Sequence, residues 1–322
     1  MIDKKLRIVF SGTPVFASVC LERLISDGFH VVAVITAPDR KKGRGQSLVA
    51  SSVKETALKH GIQVFQPTNL KDPIFNAELK AVGADIGVVV AFRMLPESVW
   101  NMPVLGTVNL HASLLPDYRG AAPINWVLIN GEKKTGVSTF FLKHEIDTGD
   151  IIKQKEIPID NEITAGQLHD LLASEGAGLL SETIRDVQND GYQKIPQKQL
   201  ISDHQALHKA PKIFKEDGKI DWNDHAQNIY NKIRGLCPYP AAWTEFAKNG
   251  KVSSVKIFKT SLSDESSKGK EAHIEITDKN ELKIGTSDFY LNIHELQLEG
   301  KQKTDAASFL RGNDLTTTTI KT

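Results

Sequence analysis

Short apolar runs and amphipathic stretches alternate through the first 190 residues. Apolar runs rich in Val and Ile are typical of buried strands, whereas apolar residues spaced three and four apart predict helices. Strands are predicted at 6–10, 31–36, 63–65, 86–90, 107–110, 137–142 and 151–157. Helices are predicted around 14–27, 53–60, 124–130 and 164–187. This alternation indicates an α/β fold, with a doubly wound, mostly parallel sheet covered on both faces.

The last third of the chain has a different pattern. Residues 189–212 are polar, with Gly and Pro, which is typical of a linker. A helix is predicted at 225–234, and Pro238-Tyr239-Pro240 ends it. Apolar runs then recur at 242–246, 252–259, 272–276, 282–285 and 290–297. Short strands with polar turns indicate a small barrel or sandwich, and the tail from Thr316 is expected to be frayed.

Length and composition agree with two domains, which we place at 1–190 and 212–322 with a linker at 191–211. Cys20 and Cys237 lie far apart without C-x-x-C spacing, which favours a reducing compartment over a disulfide or zinc framework. No apolar run is long enough for a signal peptide or a membrane span, so a cytoplasmic protein is expected. The formal net charge is only +1, so any basic surface must be local.

Polar residues that could take part in a reaction lie at the end of the predicted strand at 107–110. Asn109 and His111 alternate with apolar neighbours, so both side chains lie on one side of the strand end. Ligands of open α/β sheets bind beyond such carboxyl ends, where an amide and an imidazole can both donate hydrogen bonds. A single Asn or His there more often fixes a loop than catalyses. The acidic turn Ile146-Asp147-Thr148-Gly149-Asp150 joins two further predicted strands and can reach the same crevice.

The first strand is followed by Ser11-Gly12-Thr13-Pro14, which invites comparison with a dinucleotide-binding turn. Only Gly12 of the G-x-G-x-x-G pattern is present, and Pro14 stands where a second glycine should admit the pyrophosphate, so we expect neither nicotinamide nor flavin. Thr13 is instead expected to cap a helix that begins at Pro14. No metal-ligand spacing such as H-E-x-x-H is present, and no metal is expected.

Residues 37–47 are polar and too long for an ordinary strand-to-helix connection of about two to six residues. Four cations occupy five positions there: Arg40, Lys41, Lys42 and Arg44. A charge run is usually a solvated surface, but a flexible basic loop beside a cleft can also contact a phosphate backbone.

These motifs resemble those of the 10-formyltetrahydrofolate-dependent formyltransferases. The resemblance rests on the pair Asn109 and His111, the run S-L-L-P-x-x-R-G-A-A-P from Ser113 to Pro123, and the sequence D-T-G-D from Asp147. It extends from the turn at Gly12 to Ile220-Asp221-Trp222. The trio Asn, His and Asp is typical of the whole family, whereas the ends of the chain are similar to its members that act on methionyl-tRNA.

The resemblance implies a transferase that moves the formyl group of 10-formyltetrahydrofolate to the α-amino group of methionine on initiator Met-tRNA, for translation initiation. It implies a Rossmann-like catalytic domain, an OB-like barrel that binds tRNA, and a monomer that uses folate as co-substrate. Catalysis is expected from Asn109, His111 and Asp147. Folate contacts are expected from Phe92, Arg93, Met94, Leu95, Ser113, Leu114, Leu115, Pro116 and Asp147. Contacts to tRNA are expected from Arg40, Lys41, Lys42 and Arg44.

The chain departs from the family pattern after the strand at 86–90. There the family loop that reads the pterin ring usually has a small residue and one more position, whereas this chain has Arg93 in a shorter loop.

In the expected reaction the amine attacks the formyl carbon and an oxyanion develops. Asn109 would donate to it as a neutral group, and His111 would donate best when protonated. Asp147 would favour the charged imidazole and could accept the amine proton. No covalent intermediate is required, and Ser113 lacks a nucleophile-elbow setting, so it is expected to fix the loop.

Three other functions remain open: transfer of formyl to an amino-sugar nucleotide, transfer to glycinamide ribonucleotide, and RNA binding without catalysis. The basic loop and the C-terminal resemblance favour the tRNA enzyme, and the length of that segment argues against the glycinamide ribonucleotide enzyme. Residues 209–322 carry 18 Lys or Arg and 16 Asp or Glu, a net of +2, so tRNA binding there is implied only by the resemblance.

Overall fold

The computed structural model describes residues 6–42, 47–201 and 206–321, which form two compact units. The first unit comprises Met1–Gly120, Lys134–Pro158 and His169–Lys209; the second comprises Ala121–Lys133, Ile159–Leu168 and Ala210–Thr322. None of the helices within the described ranges is both long and apolar enough to cross a membrane.

The helices and strands have the following bounds. The helices are α1 (Val15–Ser26), α2 (Ser52–Lys59), α3 (Pro73–Ala81), α4 (Glu97–Trp100), α5 (Pro123–Ile129), α6 (Ala165–Gln188), α7 (Ala226–Leu236) and α8 (Ala306–Gly312), with 3₁₀ turns at Gln197–Leu200 and Glu216–Gly218. Strands up to residue 158 are β1 (Arg7–Gly12), β2 (His30–Ile35), β3 (Arg40–Lys42), β4 (Ser47–Val49), β5 (Gln63–Phe65), β6 (Ile86–Val90), β7 (Thr107–His111), β8 (Arg119–Gly120), β9 (Lys134–Phe141) and β10 (Ile151–Pro158). Later strands are β11 (Lys209–Ala210), β12 (Ala242–Lys248), β13 (Lys251–Ser266), β14 (Ile274–Ile276), β15 (Leu282–Gly285), β16 (Phe289–Leu298), β17 (Thr304–Asp305) and β18 (Thr319–Lys321).

The first unit is built on a seven-stranded sheet in the order β10-β9-β7-β6-β1-β2-β5. The five strands from β7 to β5 pair in parallel, and β9 and β10 join as antiparallel strands at one side. Every residue of β6 is buried, as expected for a central parallel strand of Ile, Gly and Val. The predicted mostly parallel α/β sheet is therefore confirmed.

The neighbouring strands of β7 fix the position of Asn109 and His111. It pairs in parallel with β6, where Asn109 lies opposite Val89, and antiparallel with β9, where Asn109 lies opposite Phe140. The strand ends at His111. The polar pair is thus held at the carboxyl end of a strand inside the sheet, which is where ligands of α/β proteins bind.

The predicted N-terminal caps of two helices have different outcomes. Helix α1 does not begin with a Thr13 cap: Pro14 is the N-cap residue, with extended angles and no side-chain cap bond, so that prediction was wrong. Helix α6 does have the predicted start, because the Thr164 N–H donates to Gln167 Oε1 at 2.9 Å and the Gln167 N–H donates to Thr164 Oγ1 at 3.4 Å.

An antiparallel sheet in the order β14-β15-β16-β13-β12-β18 forms most of the second unit, with β17 paired to β16. Helix α7 packs on this sheet, because its apolar residues join the same core as Trp222, Ile257 and Leu291. The predicted smaller β domain is therefore confirmed. The expectation of a frayed tail was wrong, since Ile320 in β18 pairs with Phe246 and is only 9% exposed.

Candidate functional site

Asn109 lies near the carboxyl end of β7 and is partly buried. Its carboxamide makes no hydrogen bond to another described residue. Because β7 places residues 109 and 111 on one side, the amide and the imidazole face the same crevice. The free N–H groups of Asn109 are therefore available to a bound ligand.

His111 is held by the loop that follows its own strand. Its Nε2 lies 2.9 Å from the carbonyl oxygen of Tyr118, and a carbonyl can only accept, so Nε2 carries the proton. Nδ1 therefore carries a proton only when the ring is a cation. Any hydrogen bond from Nδ1 to a ligand requires protonated His111.

Asp147 lies in the turn between β9 and β10, and its φ is +55°, in the left-handed region. Its Oδ2 accepts a hydrogen bond from the Gly120 N–H at 3.1 Å and lies 3.9 Å from His111 Nδ1. The side chains of His111 and Asp147 are only 9% and 12% exposed. The structure thus brings together the imidazole and the carboxylate that were expected to act as a pair.

Sequence reasoning did not identify Gln197, which is 3% exposed in the first 3₁₀ turn. Its Nε2 donates to the carbonyl oxygens of Asp147 at 2.8 Å and Gly149 at 2.9 Å. Its Oε1 accepts from Nε of Arg119 at 3.1 Å and also from Nη2. Arg119 belongs to the run from Ser113 to Pro123 on which the family resemblance rests, whereas Gln197 lies in a polar segment with no distinguishing pattern.

The loop after β7 is largely closed to ligands in this conformation. Ser113 is completely buried, and its hydroxyl donates to the carbonyl oxygen of Asp117 at 2.7 Å. Leu115 is 2% exposed and packs with Phe140 and Ile151, and Pro116 is also buried. Ser113 thus fixes the loop, and Leu114 is the one residue from 113 to 116 that keeps partial exposure.

The loop after β6 offers mostly backbone and exposed side chains. Ala91 has φ +46°, Met94 is exposed, and Leu95 is buried in the core of the first unit. The Arg93 guanidinium donates to the carbonyl oxygen of Thr68 at 3.0 Å and to that of Pro67, and it lies over the ring of Phe92. Arg93 is therefore tied to a neighbouring loop.

A concavity of about 450 Å³ lies beside the Asp147 turn. Its lining residues are Trp100, Leu142, Lys143, His144, Glu145 and Thr148. The rings of Trp100 and His144 meet edge to face, with centroids 5.5 Å apart. This space combines aromatic and polar groups, as small-molecule sites do. In the described ranges no group of three or more His, Cys, Asp or Glu is arranged to hold a metal ion.

The basic segment is a hairpin rather than an irregular loop. Strand β3 pairs antiparallel with β4, so Arg40 lies opposite Val49 and Lys41 opposite Leu48. Arg40 and Lys41 are exposed, and Leu48 is 70% exposed. The backbone of Lys42 belongs to β3, whereas Arg44 lies outside the described residues.

The base of this hairpin is fixed by Asp39. Its carboxylate accepts hydrogen bonds from Lys54 Nζ at 2.6 Å and from Gln66 Nε2 at 2.8 Å, and these bonds lower the pKa of Asp39 below its ordinary value. Gln66 also donates to the carbonyl oxygen of Ala37 at 2.8 Å. The cations are thus presented by an anchored element.

A larger concavity, of about 1090 Å³, lies in the second unit between α7 and the strands β13 and β16. Charges of both signs line it: Lys133, Arg234, Lys259, Asp160, Glu162 and Glu295. This balance agrees with the small net charge of the C-terminal segment and gives no preference for an anionic ligand.

Comparison with known proteins gives the same picture over the whole chain. Residues 4–184 match the family model described as formyl transferase, and residues 212–314 match the formyl transferase C-terminal domain. The methionyl-tRNA formyltransferase of Parabacteroides distasonis is 48% identical over 314 residues, 97% of each chain. That of Flavobacterium johnsoniae is 47% identical over 309 residues, 96% of each chain.

Two solved structures share the fold at low sequence identity. The N-formyltransferase from Helicobacter canadensis, in complex with folinic acid and dTDP-3-aminofucose, has a TM-score of 0.65 and 21% identity over 93% of this chain and 100% of its own. HypX from Aquifex aeolicus, in complex with tetrahydrofolic acid, has a TM-score of 0.61 and 19% identity over 95% of this chain and 47% of its own.

Proposed function

The chain belongs to the formyl transferase family, and we propose that it moves the formyl group of 10-formyltetrahydrofolate to the α-amino group of methionine on initiator Met-tRNA. The observation that carries this proposal is the high identity to methionyl-tRNA formyltransferases over nearly the whole length of both chains. The site supports it, because an amide, an imidazole and a carboxylate lie at the carboxyl end of β7. Such groups can stabilise the oxyanion that formyl transfer creates and can accept the proton that the amine loses.

Two donors stabilise the transition state in this proposal. Attack of the amine on the formyl carbon moves charge onto the formyl oxygen, and donors already aimed there lower the barrier. Asn109 supplies a carboxamide N–H with no partner among the described residues. His111 supplies Nδ1–H, which exists only in the cation because Nε2 donates to Tyr118.

Asp147 has two roles in this proposal. Its negative charge, 3.9 Å from Nδ1, balances the imidazolium that donation requires. Its Oδ2 is held by the Gly120 N–H, while Oδ1 makes no hydrogen bond to the rest of the described chain. Oδ1 can therefore accept the proton that the amine loses, directly or through water. The oxyanion then re-forms its C=O double bond, the bond from the formyl carbon to N10 breaks with its electron pair going to N10, and N10 takes up the proton that Asp147 accepted, directly or through water.

We place the folate donor along the loop after β6 and in the concavity beside the Asp147 turn. The backbone of residues 91–95 and the exposed Met94 border this approach, whereas Arg93 is occupied by the carbonyls of residues 67 and 68. Two structural relatives were solved with bound folates, tetrahydrofolic acid in one and folinic acid in the other. Both support a folate as the donor.

We assign the acceptor tRNA to the basic hairpin and to the C-terminal domain. Exposed Arg40 and Lys41, with Lys42 and Arg44, supply positive charge for phosphates of the acceptor stem. The division into a catalytic domain at 1–190, a linker at 191–211 and a tRNA-binding domain at 212–322 is supported by the two separate family matches. A tRNA substrate also implies a cytoplasmic location.

The deciding experiment follows a labelled formyl group. The protein is incubated with formyl-labelled 10-formyltetrahydrofolate and, in parallel reactions, initiator Met-tRNA, an amino-sugar nucleotide and glycinamide ribonucleotide. We expect label on Met-tRNA alone, and its loss in Asn109→Ala. Transfer to either small acceptor instead would assign the protein to another branch of the family. Binding of Met-tRNA without consumption of the folate would identify a non-catalytic RNA-binding protein.

A further inference from the structure

We infer that Gln197 is a positioning residue for the catalytic carboxylate, and that Arg119 orients it. Gln197 lies 50 residues after Asp147 in the chain and touches it only through the backbone. This inference rests on the proposed function, because it concerns the same reaction. It assigns a catalytic role to a segment for which the sequence indicated only a linker.

The contacts of Gln197 have one chemically consistent orientation. The carbonyl oxygens of Asp147 and Gly149 can only accept, so the Gln197 NH₂ group must face them. The Arg119 guanidinium can only donate, so it must face Gln197 Oε1. The charged donor thus determines which way the amide points, and the amide then holds two carbonyls of the turn. Because Gln197 is almost fully buried, these hydrogen bonds do not compete with bulk water.

The turn needs such support because much of it is open to solvent and its backbone is strained. Residues 143–146 are exposed, and Ile146 is 60% exposed. Asp147 itself has φ +55°, which L-residues other than glycine seldom adopt. Two residues on, a Cβ at Gly149 would lie 1.7 Å from the carbonyl oxygen of Phe141, so the backbone fits closely there. Gln197 bonds to the carbonyls at both of these positions.

Three consecutive residues, 118–120, thus hold the proposed catalytic pair of His111 and Asp147. Tyr118 accepts from His111 Nε2, Arg119 acts on the Asp147 turn through Gln197, and Gly120 donates to the Asp147 carboxylate. The same three-residue segment therefore positions both the imidazole of His111 and the carboxylate of Asp147. Loss of the Gln197 bonds removes one of these supports and allows the carboxylate to move relative to Nδ1.

The predicted effect is on turnover rather than on substrate binding. A misplacement of about 1 Å at a catalytic group can cost roughly 100-fold in rate. We expect Gln197→Met, which keeps the length of the side chain but removes its hydrogen bonds, to lower kcat by about 10- to 100-fold. The KM values for Met-tRNA and for the folate should change by less than about twofold, because Gln197 is buried beneath the Asp147 turn and no substrate contact is assigned to it.

The test is a double-mutant cycle with Asp147→Asn, measured as single-turnover formyl transfer to Met-tRNA. If Gln197 acts through Asp147, Gln197→Met should cost at least about tenfold in the wild-type background and less than about twofold in the Asp147→Asn background. The matched control is Gln199→Met, an exposed glutamine two residues further on, which should be neutral in both backgrounds. Gln197→Glu, which cannot donate to the two carbonyls, should reproduce the loss seen with Met.

Each outcome bears on the inference. Equal losses in both backgrounds, or a loss below about threefold in the wild-type background, would overturn it. Thermal unfolding of every variant separates rate from folding, and if Gln197→Met melts below the assay temperature, Arg119→Lys takes its place in the cycle. If the wild-type protein does not formylate Met-tRNA in the same assay, the proposed function fails, whereas an active wild type with an unaffected Gln197→Met refutes only the positioning role.

Discussion

The Asn109 amide makes no hydrogen bond to another described residue, and it lies on a strand that is paired on both sides, with β6 and with β9. Removal of one preorganised donor to an oxyanion costs about 10²- to 10³-fold in turnover. We therefore expect Asn109→Ala to lower kcat by about that factor with an unchanged melting temperature. Steady-state formyl transfer to Met-tRNA measures it, with Asn101→Ala at an exposed position as the control. Turnover close to that of the wild type would remove Asn109 from this role.

In the proposed mechanism Asp147 supplies both a balancing charge and a proton acceptor, so its replacement should be at least as damaging as that of Asn109. Asp147→Asn keeps the size of the side chain but loses both functions, and we expect kcat to fall by about 10³-fold or more. Asn keeps the size and one oxygen of the side chain, so folate binding should fall far less than turnover, and equilibrium binding of tetrahydrofolate measures this. A variant that keeps more than about a tenth of wild-type turnover would contradict the assignment of the proton acceptor.

These residues also show where prediction from the sequence ends. Asn109 and His111 could be identified because strand periodicity and a resemblance both mark them, and Asp147 because it lies in an acidic turn that matches the family motif. The 3.9 Å approach of Asp147 to His111 does not follow from the strand order, because β9 runs antiparallel to β7 and ends opposite Val108, so the turn must fold back toward His111. Gln197 could not be identified, because its contacts depend on where the chain passes 50 residues after Asp147. The long-range contacts of a polar residue have no periodic signature in a single sequence.

Helix α7 begins beside Asp288, which lies in the turn between β15 and β16. Burial raises the pKa of Asp288, but hydrogen bonds from the Ala226 N–H, the Thr286 hydroxyl and the Phe289 N–H outweigh it and lower the pKa to about 2. An Asp in an unfolded chain titrates near pH 4. The carboxylate therefore stabilises the fold above about pH 4, and this contribution is lost as the pH falls toward 2.

We accordingly expect Asp288→Ala to lower the free energy of unfolding by about 1–2 kcal/mol at pH 7, the scale of a lost helix cap. The difference from wild type should shrink at pH 3, where the wild-type carboxylate has lost much of its advantage. Urea unfolding followed by circular dichroism at the two pH values tests this. Asp264→Ala, at an exposed position in β13, is the control. A difference that does not depend on pH would contradict the role of charge.

The sequence pattern did not predict the short strands in two segments, and the physical reason is the same for both. The tail after Thr316 and the segment 37–47 both look polar and irregular, yet the first contains β18 and the second contains β3 and part of β4. Each of these strands has only three residues, too short for an alternating pattern to be recognised. Their pairing is decided by the partner strand, which local sequence does not report.

Strand β18 provides a test of that point. Ile320 packs opposite Phe246 and belongs to the core of the second unit. We expect Ile320→Ala to destabilise that unit by about 1–2 kcal/mol, less than a central core residue because the strand lies at a sheet edge. Thr319→Ala, which changes an exposed neighbour, serves as the control in the same thermal unfolding measurement. Identical stabilities for the two variants would mean that the terminal strand contributes nothing.

For the molecule as a whole, charge is nearly balanced, at +1 over 322 residues. Long-range attraction to a polyanion is therefore weak, and an enzyme that acts on tRNA must rely on local clusters of cations. The anchored hairpin of β3 and β4 is such a cluster, whereas the large concavity of the second unit carries both signs. Salt dependence distinguishes a cluster that contacts phosphates from one that is merely solvated.

Each phosphate contact contributes about 0.7–0.9 to the slope of log affinity against log salt concentration. If Arg40 and Lys41 each meet a phosphate, Arg40→Ala/Lys41→Ala should reduce the slope of log kcat/KM for Met-tRNA by about 1.4–1.8 and raise the KM for tRNA severalfold. Arg44→Ala should act in the same direction. The KM for the folate should not change, since we place the folate donor in the crevice at the end of β7, away from the hairpin. Lys71→Ala/Lys80→Ala removes two exposed cations near α3 and should leave the slope unaltered, so an equal loss in that variant would assign the effect to net charge rather than to the hairpin.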